Sequence, residues 1–258
     1  MQQMDSSGKE IDQLIVIMDK LLSPQGCPWD REQTHESLTR YLIEESYEVV
    51  EAIENSSMDD LREELGDVLL QVVFHAALAE RAGHFNFTDV VKAVSNKMIE
   101  RHPHVFASMN LESSEEVMNH WENFKRQKDK KKVLAGIPAM LPALMRAEKL
   151  QEKAARVGFD WPSPEGAIDK FKEEIEEFNS ADNHTDQEEE MGDLLFAMVN
   201  VARLSNIEPE QALQSANNKF IRRFNYIEEK TKSSGGIMGQ VDLETMDLLW
   251  EEAKAKGL

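Results

Sequence analysis

Residues 63–74 read EELGDVLLQVVF, and residues 189–200 read EEMGDLLFAMVN. Each copy opens with two glutamates, places a glycine just before an aspartate, and continues into an apolar run. Glu64 and Asp67 stand three apart, as do Glu190 and Asp193. That spacing makes side chains neighbours on one face of a helix. A glycine inside a helix costs about 1 kcal/mol relative to alanine. A phrase that keeps it twice therefore has a use for the missing side chain. Two uses stand open: room for a helix packed closely against it, or room for a substrate between the flanking acids.

The duplication extends outward from this phrase. EESYE (44–48) matches EEIEE (173–177), NKMIERH (96–102) matches NKFIRRF (218–224), and HWENFK (120–125) matches LWEEAK (249–254). All the blocks keep their order, and only the connecting segments change length, as loops do around a shared scaffold. Between the copies lies KRQKDKKKVLAGIPAMLPAL (125–144), a basic run followed by two prolines. It reads as a solvated helix end and a linker. The chain is therefore two modules, 1–132 and 133–258.

Apolar residues recur with a period near 3.6. Ile11, Leu14, Ile15, Met18, Leu21 and Leu22 mark one helical face, and Leu42, Ile43, Tyr47, Val50 and Ile53 mark another. The same pattern runs over 69–78, 90–99, 117–124, 143–154, 168–178, 194–204, 212–227 and 243–255. Helix starts are expected at Ser113-Ser114-Glu115-Glu116, Ser163-Pro164-Glu165 and Asp242-Leu243-Glu244. Glycine and proline break the pattern at SPQGCPWD, RAGHFNF, RHPHVF, GFDWPSP and KSSGGIMG. Alternating β-branched residues are scarcely found. The fold class is all-α, with two helical-bundle modules in tandem.

Composition narrows the function. Apolar residues make up 41% of 258 residues and charged residues 30%, which suits a folded, soluble chain. With 29 basic against 49 acidic residues the net charge is -20, so the molecule repels nucleic-acid backbones and anionic lipid. An anionic small substrate needs bridging cations or a local basic cluster. The single cysteine, Cys27, cannot form an internal disulfide and reads as a structural thiol. The N-terminal MQQMDSSGKE lacks the order of a signal peptide, and no run of about 18 apolar residues is present to span a membrane. These readings place the protein in the cytoplasm, without nucleic-acid or membrane partners.

The acids carry the chemistry. Glu44, Glu45 and Glu48 cluster toward one side of a helix, and Glu64 and Asp67 pair on the next; Glu173, Glu174, Glu177, Glu190 and Asp193 repeat the set. Antiparallel packing makes two acid pairs face each other. Four carboxylates at close range do not all stay ionised without counter-charge. Two divalent cations balance four charges, and an all-oxygen donor set points to Mg²⁺ or Mn²⁺ together with substrate phosphate.

Basic and aromatic residues complete the pattern. Lys97 and Arg101, and Lys219 and Arg223, stand one helical turn apart and are candidates for phosphate; surface ion pairing is the alternative. Trp121 with Lys125, and Trp250 with Lys254, repeat that spacing. An indole stacks on a nucleobase while the ammonium reaches phosphate or ribose, or else the tryptophan is buried core. His75, His84, His102 and His104 have no counterparts in the second copy and read as local structure. Glu32 and His35 have the ExxH spacing of di-iron bundles, but such a site needs two of these motifs and the second copy lacks one.

EExxE followed by ExxD in EELGD and EEMGD, with RHPHVF and the downstream WxxxK, resembles the MazG family of nucleoside triphosphate pyrophosphohydrolases, and its two-module bacterial members in particular. The resemblance covers essentially the whole chain. It implies an all-α pyrophosphohydrolase fold assembling as a homodimer, dependence on Mg²⁺ with Mn²⁺ as a substitute, and cleavage of an NTP to NMP and diphosphate. It carries metal binding onto Glu45, Glu48, Glu64 and Asp67, and onto Glu174, Glu177, Glu190 and Asp193. Nucleotide contacts fall on Lys170, Glu173, Lys219, Arg223, Trp250 and Lys254, and by the repeat on Lys97, Arg101, Trp121 and Lys125. Glu45 or Glu174 is expected to orient or deprotonate the attacking water. The second module, whose NKFIRRF adds Arg222, is expected to be the active one. The competing classes are a nucleotide sensor without turnover and a phosphohydrolase that releases orthophosphate.

Overall fold

The computed structural model describes residues 4–109, 113, 116–117 and 132–258. Cα packing divides the chain into two compact units, Met1–Asp129 and Lys130–Leu258. Every regular element among the described residues is helical. The first unit contains α1 (Met4–Leu21), the short α2 (Pro28–Glu32), α3 (His35–Glu54), α4 (Met58–Arg81), α5 (Phe87–Arg101) and the single turn α6 (Pro103–Phe106). The second contains α7 (Ala143–Ala155), α8 (Pro164–Ser180), α9 (His184–Leu204), α10 (Pro209–Ser233), a 3₁₀ turn at Met238–Gln240 and α11 (Leu243–Ala255). Residues 118–124 of the expected helix over 117–124 lie outside the described residues, and the expected boundary at 132/133 adjoins residues 118–131, which do too.

Each unit is organised by one helical hairpin. In the first, α3 packs along α4 through a three-residue connection; in the second, α8 packs along α9 through another. Short connections of this kind force antiparallel neighbours. Local chemistry sets the starts. Thr34 and Ser37 form a reciprocal capping box at α3, and Asn86 and Asp89 form one at α5. Asn183 Oδ1 accepts from the Thr185 and Asp186 amides at α9, and Asp242 accepts from the Thr245 amide at 2.8 Å at α11. Ser113 Oγ accepts from the Glu116 amide at 3.1 Å, as the expected start there requires. Ser163 departs from expectation. Its side chain caps no backbone amide, and Pro164 opens α8 instead, since proline has no N–H to satisfy at the first helical position.

The duplicated phrase anchors both cores. Val73 and Val199, at the same place in the two copies, are each 1% exposed. In the first unit Met18, Leu22, Leu38, Phe74 and Ala77 join Val73, drawing α1, α3 and α4 together. In the second, Ala167, Ala197, Ile227 and Ala253 are buried on α8, α9, α10 and α11. The second expected helical face is helical but is not core: Ile43, Tyr47, Val50 and Ile53 on α3 are all about half exposed. Leu195, Phe196 and Met198 on α9 are similarly open. The interhelix face of α3 is used elsewhere, at Leu38 and Ala52. Among the described residues no helix is long and apolar enough to cross a membrane.

Candidate active site

Glu45 and Glu48 lie one turn apart on α3, and Glu64 and Asp67 one turn apart on α4. The hairpin brings them together. One carboxylate oxygen each from Glu45, Glu48 and Glu64 lies within 4.8 Å of the others. Asp67 falls outside that tight set, yet its charge acts on both Glu45 and Glu64. Partial burial, then a hydrogen bond and repulsion from Glu48, Asp67 and Glu64, raise the Glu45 carboxyl from 4.5 to about 7. Glu64 is raised for the same reasons, burial first and then the charges of Glu48 and Asp67. Glu44 is exposed and lies outside the group, so the expected α3 triad reduces to a pair.

The second hairpin rebuilds the arrangement with Glu174, Glu177 and Glu190, again within 4.8 Å. Glu174 is buried at 5% exposure, and burial followed by the charges of Glu177, Glu174 and Asp193 raises Glu190. Asp193 sits outside the tight set, like Asp67. One feature has no equivalent in the first hairpin. Lys170, one turn before Glu173 and Glu174, places its Nζ 2.7 Å from Glu173 Oε1, 2.8 Å from Glu174 Oε1 and 3.8 Å from Glu177 Oε2. Those hydrogen bonds and charges raise the Lys170 ammonium above its usual range. In the register that pairs Glu45 with Glu174, position 170 corresponds to Tyr41. The Tyr41 ring instead packs edge-on to Trp29 at 5.9 Å and lies under the Arg40 guanidinium.

Both acid groups fit a hard divalent ion. Their donors are all oxygens, and Mg–O bonds of about 2.1 Å put two ligands of one ion up to about 4.2 Å apart. Small side-chain rotations cover the difference from 4.8 Å. The glycines fit an open site better than close packing. A Cβ built on Gly66 or Gly192 meets nothing within 4 Å, so neither leaves room for another helix among the described residues. Gly26 shows what such a requirement looks like: its Cβ would sit 2.0 Å from the Leu21 carbonyl oxygen.

The expected nucleotide residues are partly assembled. On α10 and α11, Arg223 stands 5.4 Å over the Trp250 ring, and Phe220 packs against the same ring at 5.3 Å. Arg223 Nε also donates to the Leu258 carbonyl at 2.7 Å. Trp250 is partly buried, between the two readings of a stacking platform and a core residue. Lys219 is exposed, and Lys254 pairs with Glu251 at 2.8 Å. On α5, Lys97 is exposed and Arg101 partly buried, one turn apart. Trp121 and Lys125 lie outside the described residues.

Three further contacts tie these elements together. The Lys170 network could have been found from its spacing to Glu173 and Glu174. The bidentate pairing of Arg203 with Asp160 joins positions far apart in sequence, and nothing local signals it. His35 and His75 meet head to head, Nδ1 to Nδ1 at 2.8 Å with rings 2° from parallel, so one nitrogen donates to the other and ties α3 to α4. Glu32 ends α2 while His35 begins α3, which separates the ExxH pair onto two helices.

A model of the MazG nucleotide pyrophosphohydrolase domain matches residues 33–106 and 163–227. Each segment spans one acid group; Trp250 and Lys254 lie beyond the second. The chain is 46% identical over 254 residues to the nucleoside triphosphate pyrophosphohydrolase/pyrophosphatase MazG of Thermotoga maritima, covering 97% of this chain and 98% of that protein. It is 48% identical over 255 residues to a nucleoside triphosphate pyrophosphohydrolase of Escherichia coli K12, covering 95% and 97%. The crystal structure of a mazG-related protein from Thermotoga maritima aligns at 30% identity with a TM-score of 0.39, covering 45% of this chain and 98% of that one.

Proposed function

This chain belongs to the MazG nucleotide pyrophosphohydrolase family, and from that premise we propose that it is a Mg²⁺-dependent hydrolase acting on the acid anhydride of nucleoside triphosphates, NTP + H₂O to NMP + diphosphate. The observation that carries the reading is the acid group on each hairpin, three carboxylates within 4.8 Å in the same order in both copies. An all-oxygen set of that density serves a hard cation and, through it, a phosphate chain. Mg²⁺ or Mn²⁺, when bound, supplies charge compensation and a more acidic bound water.

The chain's own residues do the rest. Glu45, Glu48, Glu64 and Asp67, and Glu174, Glu177, Glu190 and Asp193, hold the ions; Glu174, the most buried, is also positioned to orient the attacking water or take its proton, with Glu45 as its counterpart. Lys219 and Arg223 face the outer phosphates and stabilise charge on departing diphosphate. Trp250 offers a ring face to the base, which every nucleobase satisfies. Broad acceptance of ribo- and deoxyribonucleotides follows, and with it a housekeeping role in the cytoplasmic nucleotide pool. Turnover belongs to the second module, where Lys170, Glu173, Arg223, Trp250 and Lys254 stand in the same unit as the acids. The half-exposed apolar faces of α3 and α9 are the surfaces that a second copy covers in a homodimer. The module boundary is placed at 132/133.

Incubating the protein with each NTP and Mg²⁺, then separating NMP and diphosphate from NDP and phosphate, tests the reaction. NMP with diphosphate is expected. NDP with phosphate shifts the assignment to another phosphohydrolase, and binding without turnover makes the protein a sensor.

A further inference from the structure

The two acid groups are the same in carboxylates and different in counter-charge. No ion pair to Glu45, Glu48, Glu64 or Asp67 is present among the described residues, whereas the second group already holds a cation. Lys170 Nζ bonds to Glu174, the group's buried member, and reaches Glu177, so the ammonium occupies space and charge that an ion would otherwise take. It is tethered on the same helix, one turn away, and is partly exposed on its outer side. A tethered cation cannot diffuse off. Its side chain is 40% exposed, so it can turn outward into solvent, and an anion there favours that turn.

We propose that Lys170 is a built-in competitor for the metal of the second module, and that a triphosphate releases it, so that this module loads its metal together with nucleotide while the first loads metal alone. The inference rests on the metal-binding reading of the acid groups. The triphosphate is the anion of matching chemistry: its oxygens offer the ammonium partners to replace Glu174 and Glu177, and the vacated carboxylate oxygens then face an incoming ion. Metal and nucleotide favour each other at that site through one side chain. Such coupling is reciprocal, so the metal strengthens nucleotide binding by the same factor. Tyr41, carrying no charge and packed on Trp29, gives the first module no such device.

The test is Mn²⁺ binding to the full chain, followed by titration calorimetry and by the electron-spin signal of free Mn²⁺, with and without a non-hydrolysable nucleoside triphosphate. In the wild type, one class of sites is expected to bind without nucleotide and a weaker class to tighten when it is added. Lys170→Gln is expected to strengthen the weaker class about tenfold or more without nucleotide, because a unit charge within 4 Å is removed, and to abolish most of the tightening. Tyr41→Lys is the reverse transplant and is expected to weaken the first class. Circular dichroism checks that both variants keep their helices. Unchanged Mn²⁺ affinity in Lys170→Gln overturns the competition while leaving the metal sites standing. Absence of Mn²⁺ binding in the wild type and both variants overturns the underlying reading as well.

Discussion

The α3–α4 hairpin and the α8–α9 hairpin carry matched acids, yet one leaves all of them to repel each other and the other brings an ammonium to two of them, Glu174 and Glu177. In the first, Glu45 responds by holding its proton up to about pH 7. In the second, Lys170 supplies the missing positive charge from a turn away. The same carboxylates thus face two electrostatic problems. A duplicated motif repeats the carboxylates; it does not repeat the charges around them.

The largest expected effect separates the modules by turnover. Glu174→Ala and Glu190→Ala should lower diphosphate release by about 10³-fold or more, since ligand loss removes charge compensation in the reacting state, whereas Glu45→Ala and Glu64→Ala should leave most of it. Equal losses in both sets would break the comparison. Trp250→Ala comes next: loss of a stacking face worth about 1–3 kcal/mol should raise KM about tenfold or more with a smaller change in kcat. An unchanged KM would return Trp250 to the core.

Core substitutions probe the scaffolds beneath the two sites. Leu38 and Ala167 occupy matching positions, each 1% exposed. Leu38→Ala should destabilise the first module by about 2–5 kcal/mol in chemical denaturation, and Ala167→Leu should overpack the second by about 1–3 kcal/mol. If Ala167→Leu is instead accommodated, the second core has room that its sequence hides.

A pH series sharpens the electrostatic contrast. The folded Glu45 carboxyl titrates near 7 against 4.5 ordinarily, so the folded state binds that proton more tightly than the unfolded one. The resulting stability is complete below about pH 4.5 and is lost as pH rises toward and through 7. In metal-free protein, Glu45→Gln should flatten that part of the thermal-midpoint curve. A wild-type midpoint that stays level from pH 4.5 to 7 would remove the evidence for repulsion. The smallest effect belongs to the glycines. With nothing within 4 Å of either Cβ, Gly66→Ala and Gly192→Ala should each stabilise the helix by about 0.5–1 kcal/mol. If Gly192→Ala also keeps full turnover, the open space beside the acids is not used by substrate.

Much of this molecule is legible in its sequence. Helical periodicity, the capping residues at Asp242 and Ser113, and the acid spacings all depend on residues within one or two turns, where helix geometry fixes who is near whom. Glu45, Glu48 and Glu64 could be grouped because two such local pairs needed only a short hairpin to meet. EExxE does not say which glutamate turns inward, and Glu44 lies outside the group that Glu45 and Glu48 join. Periodicity likewise marks the apolar stripe of Ile43, Tyr47, Val50 and Ile53 without saying what covers it.

The sequence by itself determined an all-α chain of two homologous modules and the residues that could hold a metal, because helix formation and one-turn spacing are local. Tertiary structure decided which acids converge, that Glu45 is desolvated and crowded by like charges enough to shift to about 7, and that Lys170 lies among Glu173, Glu174 and Glu177 where Tyr41 packs on an indole. It also decided that the repeated glycines face open space. Burial and charge neutralisation depend on distances between helices and on the solvent displaced there, and those distances are set only when the hairpins close.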